Sequence, residues 1–206
     1  MAQLLLTSNG FYTDEIKEAF LSIIDSSNKE LRAVIIPTAS PQKANNRFAQ
    51  LAKQDMLSMG IAEVDFLDIE LEDPARLSEY NIIYLSGGNP IYLLHHLRVS
   101  GAGDLLKSLA KRDDLAIVGA SAGALVLGLT IAVVPAFTPH MNTVGMQDFV
   151  ALGLSKHALF PHYDREDVFP DEQGRTIEKR LNQFEQQHHI AITRLKDADY
   201  VLERTI

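Results

Sequence analysis

The chain has 206 residues, a formal charge of −8, 46% hydrophobic residues and 22% charged ones. Such a composition belongs to globular rather than disordered proteins, and the length suits one domain over residues 1–206. The acidic balance gives no electrostatic reason to bind nucleic acid or an anionic membrane. The absence of cysteine removes disulfides, thiolate zinc sites and a sulfur nucleophile, and it suits a cytoplasmic setting.

In chain order, Met1 to Thr7 lack a basic region and a long apolar run, so no export signal is expected. Residues 4–8 read as a strand, and Thr13 then caps a helix carrying Ile16, Ala19, Phe20, Ile23 and Ile24 at helical spacing. Residues 32–37 form a strand without polar alternation, which implies cover on both faces. A long helix follows over residues 42–59, with Gly60 as its C-cap. Residues 64–69, 81–85 and 115–120 read as further strands. Residues 115–137 carry no charge, but Gly119, Ser121, Gly123, Gly128, Thr130 and Pro135 interrupt them. They read as a buried strand, a helix start and a second strand rather than a membrane span. Residues 171–189 read as a helix with Ile177, Leu181 and Phe184 on one face. Residues 190–195 and 200–203, separated by Lys-Asp-Ala-Asp, read as a terminal strand pair. Alternating strands and helices predict an α/β doubly wound fold, a mostly parallel sheet with helices on both faces.

Ligands in such sheets bind beyond the carboxyl ends of the strands. Two strand ends here are unusual. One is Ser86-Gly87-Gly88-Asn89-Pro90, where paired glycines let backbone N–H groups approach a ligand or simply serve a tight turn. The other is Gly119-Ala120-Ser121-Ala122-Gly123, a G-x-S-x-G pentapeptide between a strand and a helix-compatible run. Small residues on both sides let the chain turn sharply and expose the hydroxyl, with the next N–H placed to stabilise an oxyanion. The bland alternative is small residues packing a helix against a sheet. A serine nucleophile needs a base. Of seven histidines, His162 is best placed, where the apolar run Leu159-Phe160-Pro161 enters the polar Tyr163-Asp164. The short interval from Ser121 and the order of residues differ from an α/β-hydrolase, so another serine-hydrolase scaffold is indicated. With no cysteine and no H-E-x-x-H, neither a metal nor a cofactor is expected.

These residues resemble the peptidase E (α-aspartyl dipeptidase) family of serine peptidases. The likeness runs through the Gly-Gly-Asn turn, the Gly-Ala-Ser-Ala-Gly-Ala elbow, Ala151-Leu152-Gly153-Leu154, Pro161-His162 and the segment Arg175-Thr176-Ile177-Glu178-Lys179-Arg180. It implies a fold like class I glutamine amidotransferases and metal-free hydrolysis of dipeptides with N-terminal aspartate. It also implies Ser121 as nucleophile, His162 as base and the N–H groups of Gly88 and Ala122 as oxyanion hole. Cyanophycinases look related, which leaves a β-aspartyl substrate open. The expected partner is a small peptide substrate, with no nucleic acid, no membrane and a homodimer left open.

Two departures stand out. The stretch that matches the family's catalytic acid, residues 134–142, holds no Asp or Glu. Asn142 or His140 falls nearest the slot, and Asn can orient a histidine. Asp148, Asp164 and Glu166 are the other candidates, with Asn142 placed first. Ile177 also stands where the family tends to carry an arginine. Asn89 and Arg175 are the candidate substrate contacts, with Arg165 as a second cation. The rival readings are a non-catalytic binding or regulatory domain on the same scaffold, and an esterase using the elbow.

Overall fold

A computed structural model describes residues 1–24 and 30–206. β1 (Gln3–Thr7), β2 (Arg32–Ile36), β3 (Glu63–Phe66), β4 (Ile82–Leu85) and β5 (Ala116–Ala120) pair in parallel. β6 (Ala158–Phe160) and β7 (Ile192–Arg194) form a separate parallel pair, and β8 (Tyr200–Arg204) lies antiparallel to β1. The main sheet has the order β3-β2-β4-β5-β1-β8.

The continuous apolar runs of the inner strands follow from cover on both faces. Alternate residues serve different cores. Leu4, Leu6, Val34, Ile36, Ile83, Leu85 and Ile117 face one core. Leu5, Ala33, Ile35, Ile82, Tyr84 and Val118 face the other. α1 (Asp14–Ile23) and α2 (Arg47–Ser58) cover the second face through Phe20 and Met56. α3 (Pro90–Val99), α4 (Ala102–Leu109), α5 (Ala122–Leu127), α6 (Val133–Phe137) and α7 (Ile177–His188) belong to the first. Each wholly buried Leu or Ile on these strands contributes about 1.5–3 kcal/mol relative to exposure. The fold is the expected α/β architecture. No helix among the described residues is long and apolar enough to cross a membrane.

Four elements differ from the sequence expectation. Residues 43–45 form a 3-10 turn, because Asn46 caps α2 by accepting from Phe48 and Ala49 N–H at 2.9 and 3.2 Å. The expected strand after α5 is the short helix α6. α7 starts only at Ile177, since the Asp171 carboxylate takes the N–H groups of Gln173 and Arg175 and holds that turn out of the helix. The terminal strands do not pair with each other: β7 joins β6, and β8 joins β1. The Lys-Asp-Ala-Asp segment therefore passes between two sheets instead of closing a hairpin.

α5 packs against β4 closely enough that position 123 has no room for a side chain. A Cβ there would sit 2.1 Å from the Leu85 carbonyl oxygen, which is backbone and cannot step aside. Gly123→Ala should therefore cost about 3 kcal/mol, the upper end of the usual overpacking range, measured as a lowered denaturation midpoint. A change below about 0.5 kcal/mol would show that α5 can move away freely.

Candidate active site

Parallel pairing sets Leu6 opposite Gly119 and Thr7 opposite Ala120, and Leu85 opposite Gly119 on the other side. The carboxyl ends of β1, β5 and β4 thus deliver Ser8, Ser121 and the Gly87–Gly88 turn to one place. Ser121 N–H donates to the Thr7 carbonyl at 2.9 Å, which fixes the strand exit. Ser121 then adopts φ 50° and ψ −108°, a conformation that costs a non-glycine residue about 1–3 kcal/mol. That turn is the sharp elbow that the flanking small residues permit. Its backbone is stabilised on the far side by Leu125 N–H donating to the Ser121 carbonyl at 3.1 Å.

Gly88 has φ 140°, and a Cβ on it would lie 2.3 Å from the Ala39 carbonyl oxygen. Only glycine fits there. Ala122 is the first residue of α5, so its N–H lacks an intrahelical acceptor. Gly88 and Ala122 line the same cavity as Ser121.

His162 Nε2 lies 3.0 Å from Ser121 Oγ, and His162 Nδ1 lies 2.6 Å from Asp197 Oδ1. His162 and Asp197 meet because β6 and β7 run side by side, with Phe160 opposite Arg194. The ladder continues past both strands, as Leu195 N–H donates to the Phe160 carbonyl and Tyr163 N–H to the Leu195 carbonyl. His162 itself has φ 57°. Its N–H donates to Ser8 Oγ at 2.7 Å, and Ser8 Oγ donates in turn to Asp197 Oδ1 at 3.0 Å. Asp197 is only 6% exposed. Its Oδ2 accepts from Arg165 Nη1 at 3.2 Å, and its own N–H donates to Asp164 Oδ1 at 2.9 Å. Burial pushes the Asp197 carboxyl up, but the bonds to His162, Ser8 and Arg165 outweigh it and leave the carboxyl below its ordinary value.

Asn142, placed first by sequence for the position beside His162, is elsewhere. Its amide closes a local loop, accepting from Met146 N–H at 2.8 Å and donating to the Met146 carbonyl at 2.9 Å. His140 is exposed. Asp148 pairs with Arg98, and Glu166 accepts the Ile177 N–H at the start of α7. Asp164 supports Asp197 from behind. Asp197 itself was not foreseen, because it sits in a segment with turn composition and its pairing with His162 depends on the β6–β7 ladder. Asn89 accepts from Ile91 and Tyr92 N–H as the cap of α3 and donates to the Met141 carbonyl, so its amide shapes the turn. Arg175 is bound to Asp171 and Gln183, away from both cavities at Ser121. Among the described residues, no three His, Asp or Glu side chains converge in a set that could hold a metal ion.

Two cavities flank the Ser121–His162 contact. The smaller, about 220 Å³, is walled by residues of α5, α6 and the segment after β6. The larger, about 810 Å³, runs over Ser8, Tyr12, Ser40, Phe48 and Asn89.

The chain is 28% identical to an uncharacterized peptidase of Listeria monocytogenes over 162 residues, 76% of this chain and 78% of that one. It is 31% identical to a peptidase E of Streptomyces coelicolor over 130 residues, 63% of this chain and 51% of that protein. A crystal structure of a Listeria monocytogenes EGD-e protein, provisionally assigned as peptidase E, shares the fold with a TM-score of 0.75 and 24% identity, covering 99% of this chain and 98% of that one. Residues 4–203 match the profile of Peptidase family S51, which spans every element that carries Ser8, Ser121, His162 and Asp197, and the chain belongs to that family of peptidases.

Proposed function

We propose that this peptidase cleaves small peptides by a serine mechanism through an acyl-enzyme. The observation that carries this reading is the unbroken contact chain from Ser121 Oγ to His162 Nε2 at 3.0 Å and from His162 Nδ1 to Asp197 at 2.6 Å. Ser121 Oγ attacks the carbonyl carbon while His162 Nε2 takes its proton, and the carbonyl electrons move onto oxygen. The N–H groups of Gly88 and Ala122 receive that oxyanion. Collapse breaks the C–N bond, and the departing amine takes the proton from His162. Water then repeats the sequence and frees Ser121.

Asp197 has the orienting role. An ionised carboxylate at Nδ1 holds the tautomer whose Nε2 accepts the serine proton, and it stabilises the imidazolium that results. Its depressed pKa keeps it ionised for this. A preference for N-terminal aspartate is not part of the reading. Among the described residues, Lys17 is the sole lysine or arginine that lines either cavity, and it is paired with Asp55 at 3.2 Å.

Ser121→Ala should lower kcat by up to about 10⁶ on a cleaved dipeptide. Turnover within tenfold of the parent protein would remove Ser121 from the mechanism.

Asp197→Asn should cost about 10⁴ in kcat by favouring the wrong tautomer. The same substitution has a signature in stability. Asp197 is held below its ordinary value in the folded state, so its contribution is full above the usual carboxylate range and is lost as pH falls through the depressed value. The parent protein should therefore lose more stability on acidification than Asp197→Asn, compared by denaturant titration at neutral and acidic pH. Equal losses would show that the carboxylate is not favoured by folding.

A further inference from the structure

The smaller cavity holds Ser121, His162 and the Gly88 and Ala122 backbone at one end, and its remaining walls are mostly apolar. Those apolar walls include Val133, Val134, Phe137, Met141, Phe160 and Phe169. The three phenylalanines form one cluster, with ring centroids 4.6 Å apart for Phe137–Phe160, 4.9 Å for Phe160–Phe169 and 5.9 Å for Phe137–Phe169. Thr138 also lines it, but its hydroxyl donates to the Val134 carbonyl. The nearby cations are committed elsewhere. Arg180 stacks on Phe137 with its guanidinium carbon 3.8 Å from the ring centroid. Its N–H groups go to the Phe169, Ala136 and Phe137 carbonyls, so they brace the wall instead of reaching the cavity. Arg165 is held by Asp167 and Asp197, and Arg175 by Asp171. Ile177 is wholly buried in the core.

We propose that this chamber is the specificity pocket for the acyl half of the substrate, and that it takes an uncharged apolar side chain such as Leu, Met or Phe rather than a carboxylate. This rests on the serine-peptidase reading above. The chamber begins at Ser121 and runs beside Gly88 and Ala122, so a carbonyl carbon at Ser121 with its oxygen at those N–H groups directs the neighbouring side chain into it. At about 220 Å³ it exceeds the roughly 150 Å³ that accommodates a benzene ring. A carboxylate placed among these walls would lose its hydration and find no lysine or arginine among the described residues that line the chamber. An apolar group loses only water-exposed surface.

The test is kcat/KM for a set of dipeptides with Leu, Met, Phe, Ala or Asp at the N-terminus and Leu at the second position. Fluorophosphonate labelling of Ser121 is read in parallel. At least one of the Leu, Met and Phe substrates should exceed Asp-Leu by tenfold or more. Met141 is half-buried at the chamber's edge, where Trp has room to fold while filling the space. Met141→Trp should reduce the preference for Phe-Leu over Ala-Leu at least tenfold, and an unchanged preference would place the acyl side chain elsewhere. If Ser121 is labelled but Asp-Leu is the better substrate, or no apolar dipeptide is cleaved, the chamber assignment falls and the serine mechanism stands. If Ser121 is not labelled and nothing is cleaved, the serine mechanism falls and takes the chamber assignment with it.

Discussion

Ser8 lies behind Ser121 and His162 Nε2, and its hydroxyl joins the three parts on which the site depends, 3.3 Å from His162 Nδ1. It leaves the end of β1, accepts the His162 N–H at 2.7 Å and donates to the Asp197 carboxylate at 3.0 Å. Because β1 is in register with β5, this ties His162 and Asp197 beside the small sheet to the strand next to Ser121. The hydroxyl is wholly buried, so each of its bonds is made away from competing water. A buried polar group of this kind is costly when left unmatched, by about 1–3 kcal/mol, and so disfavours arrangements in which the two sheets are out of alignment. The residue types at this point are specific: an alanine would supply neither bond, and a larger side chain would enter the contact between strand ends.

Local backbone strain has the same origin. Ser121 and His162 both lie at positive φ, and both are held there by hydrogen bonds from β1, one to the Thr7 carbonyl and one to Ser8 Oγ. Positive φ is uncommon for residues other than glycine. Each persists because the surrounding sheet supplies the compensating bonds. The glycines at 88 and 123 serve a different need, since backbone carbonyls of Ala39 and Leu85 occupy the space a Cβ would take.

The parts of the fold visible in the sequence were those encoded by short-range patterns. The apolar runs of β1, β2, β4 and β5 marked buried parallel strands, and the small residues around Ser121 marked the elbow. His162 was legible because an apolar strand ran into a polar turn. Asp197 was not, because its role comes from strand pairing across the chain: in sequence it belongs to Lys196-Asp197-Ala198-Asp199, where Asp199 accepts the Lys196 N–H as ordinary turns do. The same nonlocal pairing misled the reading of the two last strands as partners. Asn142 lies at a suitable interval from Ser121 along the chain, but its amide serves its own loop. The charged residues near α7 were legible as charges but not as pairs, and it is their pairing that leaves the smaller cavity without a cation.

The parallel ladder of β6 and β7 places His162 and Asp197 on one rigid unit, while Ser121 belongs to the other sheet. In the proposed acyl-enzyme, the Ser121 oxygen has no proton to offer His162, and the direct link between the two is cut. The two sheets nevertheless stay aligned, since Ser8 still bridges them and the ladder still fixes the imidazole against its carboxylate. On that proposed mechanism the incoming water meets an imidazole already aimed at the ester, and deacylation needs no reassembly of the site.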